Sequence, residues 1–415
     1  MKSRNLPQVV ETLTLVMLLI SAVCAKNAER MEPKTKPGIE VLLEEKVDLV
    51  RGKRVGLITN PTGVNSRLET TVDLLYNHPD INLVVLFGPE HGVRGDVMAG
   101  DKIDDFVDKK TGVPVYSLYG KTRKPTPEML KDVDVLIYDI QDIGSRAYTY
   151  IYTMAMGMEA AAETGKPFIV LDRPNPLGGN LIEGPVLDPA FKSFIGMYPI
   201  PFVYGLTVGE LAQLFNKEFG INADLTVVPM KGWKREMTFE DTGLEWVITS
   251  PHIPHGKTAF FCAATGVIGE LHTIDIGIGY TLPFELTGEE WINADEFAEE
   301  LNSYNLPGVV FRPLHYRPYY FTRQNTELQG VQIHIRDIDK FQPMRTQIDI
   351  LSAIRKLYPD REIFNTERTG MFDKAMGTDE VRNALIDQED SDKIIGRWQK
   401  DLKKFKKIRQ KYLIY

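Results

Sequence analysis

The chain has 415 residues, 43% of them hydrophobic, and a formal net charge of −8. That length and apolar content suffice for two domains of ordinary size, while the acidic balance argues against a nucleic-acid binder. Its two cysteines, Cys24 and Cys262, cannot build a disulfide framework, so stability must come from the core.

Lys2 and Arg4 precede an apolar run from Leu13 to Ile20, which is followed by the small residues Ser21, Ala22 and Ala25. This is the pattern of an export signal over residues 1–25, with an apolar core too short to span a bilayer comfortably. Cleavage after Ala25 would leave a periplasmic protein with no stable transmembrane domain. A lipoprotein linked through Cys24 ranks second, because Ser21-Ala22-Val23 is a poor lipobox, and a retained anchor ranks third.

A lead-in over 26–53 with a short helix comes before the first strand, Arg54 to Asn60. The turn Pro61-Thr62-Gly63 and the apolar-periodic stretch Thr71 to Leu75 then begin a βαβ unit. Val84-Val85-Leu86-Phe87 has no alternation and stops at Gly88-Pro89, as a strand buried on both faces does. Further strands are predicted at 113–118, 133–139, 167–172 and 223–228. Helices are predicted from near Pro127, to about Glu163 with Asp142, Ser145 and Arg146 in its first turn, and after the capping box Thr207-Val208-Gly209-Glu210, with Gly220 as the stop. Alternation of strand and helix makes this part, about residues 40–250, an α/β domain with a doubly wound parallel sheet. Over 251–415 the pattern changes to long loops, an isolated strand near 331–335 and helices around 344–358 and 389–411, which reads as a smaller α+β domain.

Open α/β sheets bind ligands beyond the carboxyl ends of their strands. Those ends here carry Glu90, His91 and Arg94, then Asp139, Asp142 and Arg146, then Asp172, Arg173 and Asn175. The plain alternative for the first group is a polar turn with a buried ion pair. No dinucleotide fingerprint, P-loop, His-Glu-x-x-His, paired-cysteine zinc site or Gly-x-Ser-x-Gly elbow occurs, so neither a nucleotide cofactor nor a metal is expected.

Phe87-Gly88-Pro89-Glu90-His91-Gly92, Tyr138 through Arg146, Leu171 through Gly179, Glu183-Gly184-Pro185-Val186-Leu187-Asp188 and Thr207 through Ala212 resemble, in order, motifs of the bacterial exo-β-N-acetylmuramidase family. The resemblance runs from about residue 40 to Tyr415. It implies a Rossmann-like domain joined to a smaller one, a site in the cleft between them, and release of N-acetylmuramic acid from the non-reducing end of peptidoglycan fragments. Glu90 matches the family's catalytic glutamate, with Asp142 or Asp172 as second carboxylate. The substrate's own 2-acetamido group is the alternative nucleophile. Asn60, His91, Arg94, Asp139, Arg146, Arg173, Asn175, Glu183, His252, Glu270 and His272 are the expected sugar-binding residues.

Two segments depart from the family pattern. Ser250-Pro251-His252-Ile253-Pro254 has His252 where the family has asparagine, and 270–284 has Ile276, Ile278 and Leu282 where the family has a glutamate and two arginines. Arginines suit a lactyl carboxylate. The departures therefore predict a shift toward neutral sugars, with His252 and His272 supplying charge only below about pH 6.5. They also leave a second reading, a catalytically silent cell-envelope glycan-binding protein on the same scaffold.

Overall fold

A computed structural model describes residues 33–90, 92–95, 106–120, 122–364 and 367–415. Residues 1–25, read as an export signal, His91 and Asp96 lie outside the described residues, as do the readings that fall on them. Six parallel strands, β1 (Arg54–Thr59), β2 (Asn82–Gly88), β4 (Pro114–Ser117), β5 (Val135–Asp139), β6 (Phe168–Leu171) and β7 (Leu225–Val228), form the sheet with a short antiparallel edge strand, β3 (Phe106–Val107). Their order is β3-β4-β2-β1-β5-β6-β7. The chain therefore winds outward on one side of β1, returns to pair β5 with β1, and winds outward on the other, which puts the topological switch point between β1 and β5.

The sheet separates two apolar layers. Val55, Leu57, Val135, Ile137, Ile169 and Leu171 face one way, where Ile39, Val72 and Leu75 cover them. Ile58, Phe87, Leu136, Tyr138, Phe168 and Val170 face the other and merge into a cluster that runs on through Phe260, Val331, Ile354 and Trp398 of the second domain. One continuous core thus joins the domains and fixes the cleft between them.

The capping box forms as expected, with Thr207 accepting from Glu210 N at the start of a helix over Val208–Glu218, and Gly220 follows at φ +72°. Three expectations change. The segment after Pro127 makes turns instead of a helix, because only seven residues separate Pro127 from β5. The helix expected to hold Asp142, Ser145 and Arg146 starts only at Tyr150 (Tyr150–Glu163). Asp142 instead accepts from Gly144 N, and Arg146 N donates to Phe202 O (2.7 Å), pinning the loop to the short strand Pro201–Val203. Finally, the strand near 331–335 is not isolated. It is the centre of a three-stranded antiparallel sheet, between Leu286–Glu289 and Val309–Tyr316. The second domain also has a helix at Thr258–Gly269, which periodicity misses because it is apolar on nearly every face.

Candidate active site

Glu90 follows β2 at the carboxyl edge of the sheet, half-buried. The Tyr119 hydroxyl lies within hydrogen-bonding reach of it, and burial followed by the Glu90 charge raises the pKa of that phenol. Glu90 also acts electrostatically on Tyr150, whose hydroxyl sits beside Asn60 and donates to Thr249 O (2.8 Å). Asn60 is itself shaped by an Asx turn, its Oδ1 accepting from Thr62 N (3.0 Å). Tyr148 packs edge-on against Tyr150, ring centroids 5.0 Å apart.

Tyr148 leads into a cavity of about 210 Å³ between the domains. Ile143, Ser145 and Phe202 line it from the first domain; Val267, Glu270 and Phe284 line it from the second, with His252 at its rim. Among the described residues, Ser145 Oγ and the Tyr148 hydroxyl are buried polar atoms with no hydrogen bond of good geometry. A buried polar group costs free energy unless something bonds it, so a mostly apolar pocket that holds two such hydroxyls is ready for a polar ligand with apolar faces. Cys262, also in the wall, has its thiol pushed up to about 12 by burial and is no nucleophile.

Several residues expected at the site are occupied elsewhere. Asp139 and Arg173 bond each other, and Arg173 also donates to Val64 O (2.8 Å). Asp172 is fully buried, accepting from Gly209 N (2.7 Å), Thr207 Oγ1 (2.8 Å) and Tyr415 Oη (2.7 Å), which leaves no face of this carboxylate for a substrate. Arg146 is fully buried and donates to the carbonyls of Pro185, Ile200, Ala375 and Met376. Asn175 shapes its own turn through Leu177 N and holds Leu206 O. Glu183 accepts from Met344 N at the start of a helix over Pro343–Leu357, its carboxyl pushed up to about 7 by burial. Arg94 grips Asp108 and Asp73 and anchors the loop that carries Glu90; the Asp108 carboxyl falls to about 2 through the Arg94 hydrogen bond.

Asp142 lies closer to the cavity but is only 3% exposed. Its Oδ2 accepts from Gly144 N (2.7 Å) and from the Tyr204 hydroxyl, and burial pushes its carboxyl up to about 6. It sits behind Tyr148 and Tyr150, both of which sense its charge.

Beyond Glu270, the altered segment is not left without cations. Arg368 Nη2 lies 2.9 Å from His272 Nε2 and 3.5 Å from Glu270 Oε2, and Arg323 Nη2 donates to His272 O (3.0 Å). Both guanidinium groups come from distant parts of the chain, which spacing within 270–284 could not reveal. Burial, then Arg368 and Arg323, lower the His272 pKa, which disfavours the charged ring expected from the sequence. Tyr119, Tyr148, Tyr150 and Tyr204 are not marked as site residues by any local pattern in the sequence. The only signal there was the aromatic spacing of Tyr148, Tyr150 and Tyr152, which reads equally well as core.

The family model for the N-terminal part of the exo-β-N-acetylmuramidase NamZ matches residues 55–257, and that for its C-terminal part matches 261–415. The chain belongs to the NamZ family. It is 54% identical over 391 residues to the peptidoglycan β-N-acetylmuramidase NamZ of Bacillus subtilis (strain 168), covering 94% of each chain. The fold is similar to crystal structures of two DUF1343 family proteins from Bacteroides fragilis NCTC 9343. The first is 50% identical with a TM-score of 0.88 and the second 28% identical with a TM-score of 0.71; each match covers 92% of this chain and 99% of the other.

Proposed function

We propose that this chain is an exo-acting glycosidase that releases N-acetylmuramic acid from the non-reducing end of peptidoglycan fragments. The observation that carries the reading is the interdomain cavity, with room for one amino sugar, beside the aromatic cluster that ends at Glu90. A half-enclosed pocket of that size suits a chain end better than a chain middle. The similarity to a muramidase of nearly equal length favours this activity over a silent glycan binder.

In this reading Glu90 donates a proton to the glycosidic oxygen as the bond to the anomeric carbon breaks. Asp142 and Asp172 are sealed from solvent, which supports a route needing neither as nucleophile. The 2-acetamido carbonyl of the substrate attacks the anomeric carbon as that bond breaks, giving an oxazolinium, and Glu270, which faces the cavity and whose pKa is raised by burial, orients the amide; water, giving a proton back to the Glu90 carboxylate, then adds to the anomeric carbon, opens the ring and releases N-acetylmuramic acid. Tyr148 and Ser145 bond the sugar hydroxyls. Arg368, 3.5 Å from Glu270, receives the lactyl carboxylate, taking the part that arginines absent from this chain's 270–284 segment play in the family pattern. A periplasmic location accords with the leader pattern of residues 1–25 and with the substrate.

The test is Glu90→Gln, assayed for N-acetylmuramic acid release beside a thermal melt. Loss of at least a thousandfold in kcat with an unchanged melt supports the assignment, and an undiminished rate removes Glu90 from the chemistry.

A further inference from the structure

The rim of the cavity carries an aromatic surface that the single-sugar pocket does not use. Tyr319, Tyr320 and Phe321 are 64%, 48% and 60% exposed, although large aromatics are ordinarily buried. They are held in place by backbone contacts and by ring stacking. Tyr319 N donates to Gly279 O (2.7 Å), and Tyr319 stacks on Tyr280 with centroids 5.7 Å apart and planes 5° from parallel. Gly279 permits this approach, since it stands at φ +97° and a Cβ there would come within 2.2 Å of Tyr320 O. Tyr320 in turn stacks on His252, 6.2 Å between centroids and 16° between planes, and His252 lines the cavity. The platform is therefore continuous with the pocket mouth.

We infer that this platform is the subsite for the leaving part of the glycan, binding the N-acetylglucosamine ring joined to the sugar that is released. The inference rests on the exo-glycosidase reading above. With the released sugar in the cavity of about 210 Å³, the next ring falls toward its mouth, where the platform begins at His252. A β-linked N-acetylhexosamine has equatorial substituents and presents flat C–H faces, which pack against aromatic rings and desolvate them. The platform is made by Tyr280 of the altered segment and by the loop resting on it, which gives that segment a role in holding the leaving group beside any role in the pocket.

The experiment compares two substrates of the full chain, the disaccharide N-acetylmuramyl-β-1,4-N-acetylglucosamine and N-acetylmuramyl β-fluoride, whose leaving group has no ring to stack. In the variant Tyr319→Ser with Tyr320→Ser, kcat/KM for the disaccharide should fall at least tenfold more than for the fluoride, chiefly through KM, while Tyr319→Phe with Tyr320→Phe should retain the disaccharide rate. Equal losses on both substrates, or no loss on either, overturn the inference. If the unaltered protein turns over neither substrate, the glycosidase reading fails instead. The platform is then judged by titration with N,N′-diacetylchitobiose, where binding tenfold weaker in the serine variant supports it and equal binding overturns it.

Discussion

Arg173 donates to both oxygens of the fully buried Asp139 carboxylate, from Nε at 2.5 Å and Nη2 at 3.0 Å, while Thr71 Oγ1 donates to the same group at 2.5 Å. The pair ties the end of β5 to the loop after β6, the two strand ends that flank the switch point on one side. Removing one partner leaves an uncompensated buried charge, so Arg173→Ala is expected to lower unfolding free energy by about 3–5 kcal/mol. Asp139→Asn added to Arg173→Gln should recover part of that loss in a denaturant titration. Full additivity of the two single losses would show that the pair is uncoupled.

Asp142 sets a pH dependence of stability. Its carboxyl is held at about 6 by burial, whereas in the unfolded chain it titrates near 4. Below about pH 4 both states carry the proton and the penalty is absent; between 4 and 6 only the folded state does, so stability falls as pH rises through this window and levels off above it. The contribution is about 3 kcal/mol across the window. Asp142→Asn should flatten that part of the thermal-melt profile, and an unaltered slope would assign it to other groups.

Tyr148 offers a separation of stability from activity. Its hydroxyl is buried without a good hydrogen bond. Tyr148→Phe should therefore leave the melt unchanged or raise stability by up to about 1 kcal/mol. If the hydroxyl bonds the sugar, kcat/KM should fall about tenfold, corresponding to about 1.4 kcal/mol. A destabilised variant with full activity would reverse both expectations.

Arg368 governs the choice between acidic and neutral sugars. Arg368→Gln removes the charge beside Glu270 and His272 and should reduce the ratio of kcat/KM for N-acetylmuramic acid over N-acetylglucosamine release by about tenfold, the scale of one charge-assisted hydrogen bond. With a guanidinium in this role, the preference of the unaltered enzyme should change little between pH 5.5 and 7.5. A strong rise in preference toward pH 5.5 would return the role to a histidine.

The sequence by itself determined the sheet, the position of Glu90 and the class of chemistry. Buried parallel strands are written as unbroken apolar runs, as in Phe168–Leu171, and the strand ends fall where proline and glycine stop them. Such signals are local, and they survive without knowledge of neighbours. The division of labour among the polar residues at those ends was decided only by tertiary structure. Asp139, Asp172 and Glu90 look alike in the chain; what separates them is that Arg173 meets the first and Thr207, Gly209 and Tyr415 meet the second. The same holds for Arg368, which reaches His272 from 96 residues away, and for the helix at Thr258–Gly269, whose apolar faces gain meaning only from the core that covers them. Partners distant in sequence satisfy a charge or bury a face through contacts that the chain order does not encode at any fixed spacing.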